Sequence, residues 1–364
     1  MRCSPRSAFV ITDLGPGRAL GGETFDTHRP VERIDQARTG HGVEGKRDSM
    51  VMYLSAAAGL VLLFGGGEFL VRGAVLVSRR LGLSPLLIGM TVVAWCTSAP
   101  ELVVSLGAAL EGRSDIAVGN VVGSNIFNIL GVLGAAALIT PIVVDPRAMR
   151  RDTVVMIVSA AALVFVAATG EITRVPAAAL LIALLAYVVI SYRSEARRPS
   201  LPSATLHENE SAEIEVSGSV ISGVAYLLGG LAALVIGSRL LVVGASDIAR
   251  TLGVSEAVIG LSLVAVGTSL PELATSIIAA LRKHADVAVG NVVGSNIFNI
   301  LGILGVTALV KPIGIAEQIA SVDVWIMLAA SLALVPMLLW RGRLGRSTGG
   351  MLLLGYAAYL AVLF

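Results

Sequence analysis

From residue 53 onward, apolar runs alternate with short polar stretches to the end of the chain. A helix needs about 20 apolar residues to cross a bilayer core. On that measure the runs predict spans at 53–77, 85–110, 115–139, 152–170 and 175–192, and again at 219–246, 256–281, 286–310, 319–340 and 348–363. The one long polar break, 193–217, begins RSEARRPSLPSATLHENESAE and separates two sets of five. Residues 1–48 are rich in Gly, Arg, Thr and Asp and show no apolar periodicity. They are read as a polar, disordered tail, or as residues ahead of a start at Met50 or Met52. No apolar h-region follows a basic start, so they do not read as a signal peptide. The expected organisation is a tail (1–48), a first five-helix repeat (49–192), a linker (193–217) and a second five-helix repeat (218–364).

Basic residues then orient the spans, because short cytoplasmic loops collect Arg and Lys. With the start of the first span outside, the inside loops hold Arg79, Arg80, Arg147, Arg150, Arg151, Arg193, Arg197, Arg198, Arg282, Lys283, Arg341, Arg343 and Arg346. The outside loops hold Arg113, Arg174, Arg250 and Lys311. Both ends of the helical core are thus expected outside and the linker in the cytoplasm. Five spans per half make the second half enter upside down. The predicted fold class is an all-α multispanning membrane protein, with ten transmembrane helices as two inverted five-helix repeats.

Within these apolar runs one polar pattern occurs twice. Residues 117–131 read AVGNVVGSNIFNILG, and residues 288–302 repeat the string at an offset of 171 (288 − 117). Each copy follows Thr-Ser-x-Pro-Glu, at Thr97–Glu101 and Thr268–Glu272. The repeated blocks run over 89–134 and 260–305, with Gly82 and Gly253, and Gly73 and Gly244, matching outside them. Polar groups at bilayer depth are costly and mark ion or substrate paths.

The spacing predicts which groups meet. Ala94, Thr97, Ser98 and Glu101 recur three to four residues apart and share a helix face, as do Asn120, Ser124 and Asn128. Pro100 removes a backbone donor and is expected to release carbonyls near Ala94 to Thr97. Ala265, Thr268, Ser269, Pro271, Glu272, Asn291, Ser295 and Asn299 reproduce the set. Carboxylates, hydroxyls, amide oxygens and carbonyls suit hard cations such as Ca²⁺, Na⁺ or Mg²⁺, not Zn²⁺ or Cu. Two carboxylates, Glu101 and Glu272, balance one divalent charge. The glycines of the motif are read as sites of close helix approach, and Asn120, Asn125, Asn291 and Asn296 as interhelical hydrogen-bonding residues. Intramembrane pairing or snorkelling is expected of Glu68, Arg72 and Arg239, and Asp247 and Asp323 are expected near helix ends.

Composition agrees with a membrane protein: 55% hydrophobic and 14% charged residues over 364 positions. A net charge of +2 makes no case for nucleic acid. Cys3 and Cys96 do not make a disulfide framework, and four scattered histidines offer no metal-ligand spacing.

CTSAPE at 96–101 and GTSLPE at 267–272, each followed by GNVVGSNIFNILG, resemble the two alpha-repeats of sodium/calcium exchangers in the calcium/cation antiporter superfamily. The resemblance covers most of 53–310. It implies ten helices with a core of the second, third, seventh and eighth, four clustered cation sites, and alternating access in which the first and sixth helices slide. Its ligands carry over to Ala94 (carbonyl), Thr97, Ser98, Glu101, Ser124 and Asn128, and to Ala265 (carbonyl), Thr268, Ser269, Glu272, Ser295 and Asn299. Cys96 stands where the pattern usually has Gly, and Asn299 where many such exchangers carry Asp. An acid there accompanies potassium use in the potassium-dependent relatives, so Asn299 argues against potassium.

The expectation is an inner-membrane secondary antiporter, not an enzyme, that extrudes Ca²⁺ against inward Na⁺. It has Ca²⁺, Na⁺ and the lipid bilayer as partners, with no cofactor, nucleic acid or obligate protein partner. A Ca²⁺/H⁺ antiporter is the nearest rival and a cation channel a remoter one. His-Glu-x-x-His and Gly-x-Ser-x-Gly are absent, which disfavours an intramembrane hydrolase.

Overall fold

The computed structural model describes residues 40–196, 219–253 and 265–363; side chains are described from Met50 onward, apart from a few at segment edges. Most of the polar linker and the start of the expected 256–281 span lie outside those residues. So does most of the polar N-terminal stretch, although helix α1 (Gly40–Leu81) reaches back into it.

The chain continues as α2, in two arms (Leu86–Thr97 and Ala99–Leu110), and α3 (Ser114–Ile139). Next come α4 (Pro146–Ala167) and α5 (Arg174–Ala196). After the linker follow α6 (Val220–Thr251), then α7 (Ala265–Thr268 and Leu270–Leu281) and α8 (Ala285–Val310). The last two are α9 (Ile319–Trp340) and α10 (Arg346–Leu363). Among the described residues, six helices are long and apolar enough to cross a membrane, or seven with the bent α2. α4 starts earlier than its apolar run because Asp145 caps it, accepting the Arg147 N–H at 2.9 Å, and Pro146 suits its first turn.

Local sequence explains the breaks. α2 bends by 43° at Ser98, and Pro100 occupies the first turn of the second arm, where a missing N–H costs nothing. α7 breaks in the same way at Ser269, ahead of Pro271. α3 and α8 form the buried centre: Val118, Val121 and Ile126, and their mates Val289, Val292 and Ile297, are wholly buried. Both helices widen into π-helical turns beyond the repeated string's midpoint, at Asn128–Leu133 and Phe298–Leu304.

Connections cross between the halves. A two-stranded antiparallel ribbon joins Ile142–Val143 to Arg343–Leu344, and another joins Glu171–Ile172 to Ile313–Gly314. Cationic side chains close the carbonyl ends of helices in the opposite half. Arg174 Nε reaches Leu309 O at 3.2 Å, Arg346 Nη2 reaches Ile139 O at 3.4 Å, and Lys311 Nζ reaches Leu110 O at 3.2 Å.

α1 and α6 run antiparallel with their backbones in contact along glycines seven residues apart. A Cβ on Gly73 would lie 2.7 Å from Leu227 N, and one on Gly230 would lie 2.6 Å from Leu70 N. Any larger side chain there would push the helices apart. Glu68 on α1 pairs with Arg72 Nε at 2.5 Å and also with Arg282 Nη2, at the end of α7, at 2.8 Å. Its repeat mate Arg239 is exposed. Asp247 pairs with Arg250 at 2.6 Å near the end of α6. Asp323 is buried in the first turns of α9 and accepts Tyr359 Oη at 3.2 Å.

Candidate cation site

The two helix breaks place Glu101 and Glu272 in the first turn of the second arms of α2 and α7. Both are fully buried. Among the described residues no basic side chain pairs with either carboxylate. Each instead takes a hydroxyl from the opposite half: Ser98 Oγ donates to Glu272 Oε1 at 3.1 Å, and Ser269 Oγ to Glu101 Oε1 at 2.9 Å. Ser269 Oγ also lies 3.2 Å from Ser124 Oγ on α3. Thr97 Oγ1 lies 3.1 Å from Asn291 Oδ1 and 3.5 Å from Ser295 Oγ on α8.

Backbone positions are held as well. Asn120 Nδ2 donates to Glu101 O at 3.2 Å and to Ser105 Oγ at 3.0 Å. Its mate Asn291 donates to Glu272 O at 3.4 Å and to Ser276 Oγ at 3.1 Å. These asparagines are interhelical fasteners, as the sequence predicts. Sequence spacing did not reveal Ser105 and Ser276 as their partners. The signal was available in retrospect, since each hydroxyl lies four residues after the glutamate and on its face.

The twelve residues predicted as ligands divide into three groups. Glu101, Glu272, Ser98, Ser269, Ser124, Thr97 and Ser295 are joined by the contacts above. Asn128 and Asn299 are buried in or beside the π-helical turns, and Asn128 Nδ2 and Asn299 Nδ2 donate across the halves. Ala94, Ala265 and Thr268 occupy the first arms of α2 and α7. The carbonyl of Ala94 departs from expectation. Pro100 bends the helix without releasing it, because Ser98 N–H donates to Ala94 O at 3.0 Å and Thr97 Oγ1 adds a bond at 3.3 Å.

Four buried oxygens in this cluster lack any hydrogen-bond donor: Glu101 Oε2, Glu272 Oε2, Asn128 Oδ1 and Asn299 Oδ1. Leaving such atoms unpaired is expensive, more so for charged groups. Each half contributes two of them, one carboxylate oxygen and one amide oxygen. An acceptor-only group of this composition fits a hard cation.

The Sodium/calcium exchanger protein family profile matches residues 51–193 and 222–364, one copy per half. The chain belongs to the sodium/calcium exchanger family. It is 32% identical to the sodium/calcium exchanger MaX1 of Methanosarcina acetivorans, over 86% of this chain and 99% of that protein. It is 37% identical to the inner membrane protein YrbG of Escherichia coli, over 84% of this chain and 94% of that protein. A solved structure of the sodium-calcium exchanger NCX_Mj, soaked with zero Na⁺ and Ca²⁺, matches with a TM-score of 0.74 at 31% identity. That match covers 86% of this chain and 99% of the other. The family membership makes this chain a membrane cation exchanger.

Proposed function

We propose that the protein is a secondary antiporter that exchanges Ca²⁺ for Na⁺ through the Glu101–Glu272 cluster, in an inner membrane. The observation that carries this reading is the set of four donor-less buried oxygens, one on each of two buried acids and one on each of two buried asparagines. A buried carboxylate at bilayer depth costs about 2.5–3.5 kcal/mol on insertion scales, and two facing each other repel. One Ca²⁺ between them neutralises both charges and takes up the free oxygens. Several Na⁺ ions satisfy the same atoms, so the two loads exclude each other. The unloaded, doubly negative cluster resists exposure to the opposite side, which couples inward to outward movement. Three Na⁺ would leave a net positive load and an electrogenic cycle.

In this reading the chain crosses the membrane ten times as two inverted five-helix repeats. The ends of the helical core lie outside and the linker lies in the cytoplasm, consistent with the bias of Arg and Lys. Asn128, Asn299, Ser124, Ser295, Thr97, Thr268, Ser98 and Ser269 complete the coordination around the acids. The carbonyls of Ala94 and Ala265 contribute at the bends, and Ala94 O uses a lone pair left over from its two donors. With Asn rather than Asp at 299, the cluster holds two acids and is not built for an additional K⁺.

The test is Ca²⁺ movement in proteoliposomes under an imposed Na⁺ gradient at clamped pH, then under a pH gradient without Na⁺. Uptake driven by Na⁺ alone is expected. Uptake driven only by the pH gradient would replace Na⁺ with H⁺ as the coupling ion, and single-channel currents far above carrier turnover would establish a channel.

A further inference from the structure

Four asparagines near the centre of the molecule form a closed set of contacts that the cation cluster does not itself explain. Asn125 on α3 and Asn296 on α8 grip each other's backbone: Asn125 Nδ2 donates to Asn296 O, and Asn296 Nδ2 to Asn125 O, both at 3.3 Å. The same amino groups face thioethers, Met327 Sδ at 3.6 Å and Met156 Sδ at 3.9 Å. A backbone carbonyl only accepts, so it settles which end of each side-chain amide is NH₂. Oδ1 of Asn125 and of Asn296 must therefore lie on the other side, and those two oxygens only accept. Each receives an amino group from the opposite half. Asn299 Nδ2 donates to Asn125 Oδ1 at 3.0 Å, and Asn128 Nδ2 to Asn296 Oδ1 at 3.1 Å. That leaves Asn299 Oδ1 and Asn128 Oδ1 as the free, donor-less ends.

We propose that Asn125 and Asn296 are positioning residues that lock the amide flip of Asn299 and Asn128, so that each presents its carbonyl oxygen and not its NH₂ to the cation. This rests on the reading of Asn128 and Asn299 as ligands. An asparagine side chain is nearly symmetric in shape, and packing alone does not distinguish its two ends. Turned over, it would aim the positive end of its dipole at Ca²⁺ or Na⁺. Two backbone carbonyls, one per half, relay the correct choice through one amide to the next. Groups one shell out from a metal act in this way by orienting the ligands they touch.

The experiment is a double-mutant cycle read as Ca²⁺ affinity, by calorimetry on purified protein without Na⁺, with thermal melting as the control for folding. The proteins are wild type, Asn299→Ala, Asn125→Leu and the double variant. Asn125→Leu is expected to weaken Ca²⁺ binding by about tenfold. The double variant is expected to bind within about threefold of Asn299→Ala, because once the oriented amide is gone there is nothing left to orient. An unchanged Ca²⁺ affinity in Asn125→Leu, or losses that multiply in the double variant, overturns the proposal while leaving the ligands in place. An unchanged affinity in Asn299→Ala overturns the ligand reading beneath it. Should Asn125→Leu fail to fold, Asn125→Ser and the mirror cycle of Asn296→Leu with Asn128→Ala give the same readouts.

Discussion

The same fifteen letters stand at 117–131 and 288–302, and their surroundings differ. In the second copy, residues 288–301 are all buried. In the first, Gly119, Asn120, Gly123 and Phe127, one face of α3, are half-buried. A Cβ on Gly294 would sit 2.5 Å from Met90 O and 2.8 Å from Ala94 Cβ, because the first arm of α2 lies directly on α8. On Gly123 it would meet nothing within 4 Å among the described residues. Identical letters thus differ in how far they are covered. The exchange proposed above needs equal ligands on both sides with one side closed at a time, and unequal cover around equal letters is what such a cycle calls for.

The largest expected effect tests the chemical equality. Glu101→Gln and Glu272→Gln should each reduce Na⁺-driven Ca²⁺ transport by about a hundredfold or more, beyond what groups one shell out cost. Near-normal transport in either variant would break the symmetry of the site. The next effect tests the packing inequality. Gly294→Ala must displace backbone and should destabilise the protein by about 1–3 kcal/mol, seen as a lower melting temperature. Gly123→Ala should change stability by no more than about 0.5 kcal/mol. Equal stability losses in the two variants would mean that the two faces are equally closed. The smallest effect compares Asn291 with Asn120. Asn291→Ala removes the amide that holds buried Glu272 O and Ser276 Oγ and should cost about 1–3 kcal/mol. Asn120→Ala, at a half-buried position, should cost less than about 1 kcal/mol in a denaturation series.

Much of this was legible in the chain. The repeated Thr-Ser-x-Pro-Glu elements singled out the acids, while Pro100 was read as releasing carbonyls and not as marking breaks at Ser98 and Ser269. Apolar runs located the described helices to within a few residues, except at the start of α1, which extends into the polar stretch, and of α4, where a cap outweighed hydropathy. Other features could not be read that way. Spacing along one helix shows which residues share its face but not which residue of another helix they meet, so the exchange of Ser98 and Ser269 between acids was hidden. The pairing of Glu68 with Arg282 was hidden for the same reason. The π-helical turns at Asn128 and Asn299 have no signature in residue type. Identical letters, finally, carry no information about which copy is covered.

The exchanged serines also bear on what a single repeat could achieve. Half of this polypeptide holds one acid and a hydroxyl that faces away toward a missing neighbour. To complete those exchanged contacts it would have to meet a second copy of itself. Fusion of two such units into one chain makes that encounter permanent, and frees each copy to drift in its packing while the shared oxygens stay fixed.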